Sequence, residues 1–362
     1  MTQPIPPDDD APPPDDDDAP DAPPKQKAKR KPRPRVSLVK PDEAIVSPDD
    51  WRLSLRYKAD GSGLTKDPGN AALLLAHSEP WVGCLGYDEF SRRICWRSVP
   101  PRQAGLNQPS GELQDNHIIY VQHWMAKNHG VAFTSDSIFA ALASASRVHS
   151  FHPVKDYMSA TPWDGTQRLP TMLRDYFGVT TAEDFASRAG VLWMISAVAR
   201  IYRPGCQADY MLILEGKQNL GKSTGLKILF SEPWYSNSRL PIGSDEAPKK
   251  LQGKWCQEIA ELDAFKGRGW TEVKSFITDP FDRYRDSYGR ISQDHPRTCI
   301  FAGTTNEEEY LGDRTGNRRF WPFRCTRVDR DAIARDRNQL WAEALARFDS
   351  GERWHFDDET LA

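Results

Sequence analysis

The run Tyr210-Met211-Leu212-Ile213-Leu214-Glu215-Gly216-Lys217-Gln218-Asn219-Leu220-Gly221-Lys222-Ser223-Thr224 decides how this chain folds. It opens with an apolar stretch of strand length, Tyr210 to Leu214, and a helical pattern continues from Thr224 to Phe230. Between them, Gly216 to Ser223 matches GxxxxGK[ST] at each fixed position. Gly216 and Gly221 allow backbone conformations that aim several N–H groups at phosphate oxygens, and the helix start adds its positive end. The expected ATP-binding set is Gly216, Gln218, Asn219, Gly221, Lys222, Ser223 and Thr224. Lys222 would reach the β- and γ-phosphates, Ser223 would ligate Mg²⁺, and Thr224 would support the turn.

Such a loop needs an acid on a neighbouring strand to hold magnesium and polarise water. Trp255-Cys256-Gln257-Glu258-Ile259-Ala260-Glu261-Leu262-Asp263 is strand-like in its first half and carries acids at its end. Alternation puts Glu261 and Asp263 on one face and Glu258 on the other. Glu261 is the first choice, metal-linked or water-activating, Asp263 the second, and Glu258 the alternative. A third strand, Thr298 to Ala302, runs into Gly303-Thr304-Thr305-Asn306. Asn306 there can point its amide at the γ-phosphate or the attacking water.

Two basic segments complete the set. Arg318 and Arg319 follow a Gly-Asn turn just before the aromatic stretch Phe320-Trp321. They would either reach a neighbouring subunit's nucleotide or pair with acids such as Glu307 to Glu309. Asp282-Arg283-Tyr284-Arg285-Asp286-Ser287-Tyr288-Gly289-Arg290 alternates arginine with aromatics around a Tyr-Gly turn, which suggests a hairpin. Arg283, Arg285, Tyr288 and Arg290, with Lys274 on a helix before them, are the DNA-contact candidates, since phosphate contacts and stacking surface together suit a single strand.

Outward from this centre the composition changes. Residues 1–40 are acidic and proline-rich, then basic, with too few apolar side chains to offset the entropy of ordering, and are expected to be disordered. Residues 45–150 form an accessory region, mainly helical, with short strands near Trp81 to Tyr87 and Arg93 to Trp96. Helices are expected at 117–127 and 135–147, the second capped near Ser135 or Asp136, and the pair would make 105–150 winged-helix-like. A long apolar helix covers 183–202, and the main domain runs over 155–356. The net charge of −3 excludes a globally basic nucleic-acid binder, so nucleic-acid contacts must come from local patches. No apolar run is long enough to span a membrane, and the acidic start is unlike a secretory leader. The six cysteines are scattered without a CxxC pair, and the histidines show no metal-ligand spacing, which points to a reducing cytoplasm.

Four elements in this order, Gly216–Thr224, Trp255–Phe265, Asp282–Gly289 and Phe301–Phe323, resemble the virulence-associated E family. Upstream features look like the family too: Trp51, Tyr87-Asp88-Glu89-Phe90, Phe151-His152-Pro153-Val154 and Trp163-Asp164-Gly165. Its members are phage- and mobile-island-encoded P-loop ATPases, akin to superfamily-three helicases and phage primase-helicases. The resemblance implies an α/β fold with a P-loop AAA+-like core, assembled as a homo-oligomeric ring with ATP and Mg²⁺ at subunit interfaces. It makes Lys222 and Ser223 the phosphate and magnesium contacts, Glu261 the acidic strand-end residue and Asn306 the sensor. Arg318 or Arg319 becomes the arginine acting in trans, and the hairpin near Arg290 faces the channel. The acidic motif, E-x-x-E-x-D, departs from a plain acid pair, and no metal-binding primase module is visible, so primer synthesis is not expected. The expected function is an ATP-dependent motor on single-stranded DNA, a replicative helicase of a phage or integrated element. The rivals are an ATP-switched DNA-binding or interference factor and a non-enzymatic assembly protein.

Overall fold

The computed structural model describes residues 50–103, 105–260, 269–285, 291–306 and 317–356. The Asp50 carboxylate accepts from the Arg52 N–H at 2.9 Å and caps a single 3-10 turn, Trp51–Ser54. Asp67 and a proline at the first position start α1 (Pro68–His77). Next come β1 (Leu85–Asp88), β2 (Arg93–Trp96), β3 (Gly111–Glu112), α2 (Asp115–His129), α3 (Ser135–Val148) and β4 (Ser150–Phe151). The first strand begins later than the apolar pattern suggests. The Trp81 and Cys84 N–H groups are spent on turns to Ser78 O and Trp81 O, and Gly83 takes φ 74°. Thr134 caps α3 by accepting from Ser137 N, so its side chain makes the bond expected of Ser135 or Asp136. The sheet order is β3-β2-β1-β4, and the region buries its own core of residues between Leu64 and Ala145, including Trp81, Trp96 and Trp124.

The rest of the chain winds through α4 (Pro153–Ser159), α5 (Met172–Phe177), α6 (Glu183–Tyr202), β5 (Met211–Glu215), α7 (Lys222–Phe230) and β6 (Tyr235–Ser236). It continues with α8 (Glu246–Lys250), β7 (Cys256–Ala260), α9 (Gly269–Thr278), β8 (Phe281–Tyr284), β9 (Gln293–Pro296), β10 (Ile300–Thr305), β11 (Phe320–Arg324) and α10 (Arg330–Asp349). Five strands form a wholly parallel sheet in the order β11-β5-β10-β7-β6. Each of its three innermost strands is covered on both faces, which is why β5 reads as an unbroken apolar run. Leu212, Leu214, Cys256, Ile300, Ala302, Trp321 and Phe323 pack into the core shared with α6, α7 and α10. Met211, Ile213, Ile259, Phe301 and Phe320 pack on the other side against Leu240, Ala247, Leu251, Val273 and Ile277. The architecture is therefore mixed α/β, a parallel sheet between helical layers.

Tryptophans tie the layers together. Trp193 Nε1 on α6 donates to Phe301 O at 3.1 Å, Trp255 Nε1 to Ala197 O at 2.9 Å, and Trp341 Nε1 on α10 to Leu229 O at 2.8 Å. Each ring buries a large apolar area while its one donor stays satisfied. Helix α6 is buried continuously from Trp193 to Ile201, with Ser196 and Arg200 buried within the run. No helix among the described residues is long and apolar enough to cross a membrane.

Candidate functional site

Register places the site. Glu215 lies beside Thr305 and Arg324, and Thr304 beside Ala260, so β5, β7, β10 and β11 end at one carboxyl edge. That edge of an open parallel sheet is where ligands bind. The loop after β5 carries three residues with positive φ: Gly216 at 147°, Asn219 at 64° and Gly221 at 95°. A Cβ on Gly216 would stand 2.8 Å from Cys325 O, so this position needs glycine for space as well as for conformation. Gly221 precedes the first residue of α7 and has no side chain to cap it, which leaves the first N–H groups of the helix facing the loop.

Lys222 is buried and points back into the loop. Its Nζ donates to Gly216 O at 2.5 Å, Lys217 O at 3.0 Å and Asn306 Oδ1 at 3.0 Å. Burial lowers its pKa from the usual lysine range, against the nearby Cys325 and Glu258. The Asn306 amide thus already touches the lysine of the motif.

Among the described residues, Glu258 is the acid that meets the loop. It is 1% exposed on β7, and its Oε1 accepts from Ser223 Oγ at 2.6 Å and from Thr304 Oγ1 at 2.5 Å. Its Oε2 accepts from the Tyr235 hydroxyl, whose pKa rises through burial and the Glu258 charge. Alternation explains the meeting. Cys256 of β7 and Ala302 of β10 face the α7 layer, so Glu258 and Thr304, two residues further along, face the start of α7. Glu261 and Asp263 lie outside the described residues. The site is a cavity of about 300 Å³ lined by Gln218 to Thr224, Ala260, Thr304, Thr305 and Asn306. A hydroxyl and a carboxylate held 2.6 Å apart are hard oxygen donors of the kind that suits Mg²⁺.

A model of the virulence-associated protein E-like domain matches residues 158–362. The chain belongs to this family. Among solved structures, the apo structure of the NrS-1 C-terminal region (305–718) is 15% identical with a TM-score of 0.44, covering 76% of this chain and 70% of that one. The A form apo structure of the same region is 14% identical with a TM-score of 0.44, covering 76% and 67%. No curated protein matches the sequence.

Within the virulence-associated E-like domain the two arginines stand apart from the loop. Arg318 and Arg319 sit at the amino end of β11, where Phe320 pairs with Met211, the first residue of β5. Roughly 16 Å of strand, at about 3.3 Å per residue, separates that edge from the loop. Trp321 Nε1 holds Arg318 O at 3.2 Å, and both arginines line a cleft of about 280 Å³ with Gln207, Asp209, Tyr210, His355 and Phe356.

The same domain carries the basic segment on an antiparallel pair, β8 and β9. Arg283 faces outward and pairs with Asp294 across the two strands at 2.9 Å. Arg285 follows β8 and Lys274 lies on α9, while Tyr288 and Arg290 lie outside the described residues. Underneath, Arg297 Nη2 donates to Asp282 Oδ1 at 2.6 Å in a pair almost wholly buried.

Sequence reasoning missed Tyr235 altogether and quoted Thr304 without a role. The even-numbered pattern Ala302–Thr304 gave a signal for the second. Tyr235 sits on a two-residue edge strand, and no spacing announces it. No group of three or more His, Cys, Asp or Glu side chains suited to a metal occurs among the described residues.

Proposed function

We propose that the chain is an ATP-dependent motor acting on DNA, built on a P-loop, AAA+-like core. The observation that carries this reading is the convergence of Lys222, Ser223, Glu258 and Asn306 on one glycine-rich loop at the carboxyl edge of the sheet. Loop N–H groups and Lys222 would bind the β- and γ-phosphates. Ser223 and Glu258 would hold Mg²⁺, which when bound neutralises charge between those phosphates. Asn306, already in contact with Lys222, would orient the γ-phosphate or the attacking water. Glu261 and Asp263, next along the chain, are the candidates for taking the proton of that water.

The arginine placement supports an assembled enzyme. Arg318 and Arg319 lie at the opposite edge from their own loop, so a contact with ATP requires a second copy. Arginine is suited to that task because its planar fork engages phosphate oxygens in two places. Lys274, Arg283 and Arg285 would then meet the DNA backbone from the β8–β9 side, with Tyr288 and Arg290 between the strands in sequence.

The test is release of a labelled strand from a forked duplex. ATP-dependent release is expected. DNA-stimulated hydrolysis without release would favour the nucleotide-switched DNA binder instead.

A further inference from the structure

Three glycines of the loop and its helix face one segment of chain. A Cβ on Gly216 would lie 2.8 Å from Cys325 O, one on Gly225 2.9 Å from Val328 Cγ1, and one on Gly221 3.9 Å from Val328 Cβ and 3.6 Å from Arg330 Cδ. Residues 325–330 therefore lie against the loop and the start of its helix, through the Cys325 carbonyl and the Val328 and Arg330 side chains. The segment is pinned at both ends. The Cys325 N–H donates to Glu215 O at 2.8 Å, the Asp329 N–H to Tyr176 O at 2.8 Å, and the Asp329 carboxylate caps α10 through the Ala332 N–H at 3.0 Å.

Arg330 lies across the open face of Gly221, with Nε 4.0 Å from the position a Cβ would take. It is exposed, and its guanidinium forms no hydrogen bond or ion pair among the described residues. Strand order gives this residue a side. Asn306 and Glu258 come from β10 and β7, to one side of β5, whereas Val328 and Arg330 follow β11, on the other. A nucleotide whose γ-phosphate meets Asn306 and whose phosphates cross the loop away from β10 would bring its ribose and base toward β11.

We propose that Val328 and Arg330 form the base-side wall of the nucleotide site, with the Arg330 guanidinium stacked on the base. The inference rests on the nucleotide reading above and adds the residue that grips the other end of the ligand. Guanidinium planes stack on aromatic faces in a way that an ammonium cannot.

The experiment measures binding of ADP, a non-hydrolysable ATP analogue and inorganic tripolyphosphate to the full chain by calorimetry. Wild type, Arg330→Ala, Arg330→Lys and Lys222→Ala are compared after matching their circular dichroism and Tm. Arg330→Ala is expected to weaken ADP and the ATP analogue alike, by about tenfold, and to leave tripolyphosphate unchanged. Arg330→Lys should recover little of the loss. A loss confined to the ATP analogue would place Arg330 at the γ-phosphate and overturn the proposal. A parallel loss of tripolyphosphate, or no loss at all while Lys222→Ala abolishes binding, would overturn it too. Failure of wild type to bind any nucleotide would instead remove the functional reading itself, and this inference with it.

Discussion

Ser223 Oγ and Glu258 Oε1 are 2.6 Å apart although 35 residues separate them in the chain. The bond joins the first turn of α7 to β7, a strand that does not neighbour β5, and Thr304 on the intervening β10 donates to the same oxygen. One carboxylate therefore ties the loop, the sheet centre and, through Tyr235, the sheet edge.

Removing that carboxylate should cost stability as well as activity. Glu258→Ala strands three buried or half-buried hydroxyls without their acceptor, and a loss of about 3 kcal/mol or more in urea unfolding is expected. Tyr235→Phe deletes a single donor and should cost about 1 kcal/mol. Equal effects from the two variants would mean that Glu258 is not the hub.

Close approach makes Gly225 intolerant of a side chain. A Cβ there would meet Val328 Cγ1 at 2.9 Å, Phe177 Cε1 at 3.1 Å and Ile333 Cδ1 at 3.2 Å. Overpacking by Gly225→Ala is expected to destabilise by about 1–3 kcal/mol, although alanine favours helix elsewhere. A raised Tm would contradict this packing.

Under the β8–β9 pair, Asp282→Ala should be more damaging than its surface counterpart. It leaves the Arg297 guanidinium, 1% exposed, without its carboxylate, at a cost of about 3–5 kcal/mol. Asp294→Ala breaks only the exposed pair with Arg283 and should cost below about 1 kcal/mol. Chemical denaturation of both variants gives the comparison.

Burial pushes the Cys299 and Cys325 thiols up to about 12 and Cys95 up to about 11, and raises Cys256 well above its ordinary value. A thiol raised in this way stays protonated at pH 8, and the protonated form is a poor nucleophile. Iodoacetamide at pH 8 should therefore leave these four unmodified in the native protein and alkylate all six cysteines after unfolding. Rapid native labelling of Cys256 or Cys299 would show that the sheet opens.

The arginines offer a test of assembly. Lys222→Ala and the double variant Arg318→Ala/Arg319→Ala should each fail to hydrolyse ATP. Mixed together they should regain part of the wild-type rate, because an intact loop can then face an intact arginine pair. A mixture as inactive as its parts would argue that the arginines serve their own chain or none.

The loop, its strand and its helix were legible because glycine spacing and an apolar run are local signals. The same holds for α6, whose limits coincide with the expected 183–202. The acid was harder to assign. Acids cluster after Ala260, which drew attention to Glu261, whereas the described contact with Ser223 is made by Glu258 inside the strand. Choosing between them needs the strand order, since only the position of β10 between β5 and β7 sets which face of β7 meets α7. Long-range placement of that kind leaves no local trace. The same limit hid Tyr235 and the approach of Arg330 to Gly221, each of which depends on chain returning from elsewhere.

The most direct test of the account is ATP hydrolysis with and without single-stranded DNA, for wild type and Lys222→Ala. A rate that rises with DNA in wild type and disappears in Lys222→Ala is expected. Pure, folded wild type that hydrolyses no ATP at high concentration with DNA present, or a Lys222→Ala protein as active as wild type, would contradict it.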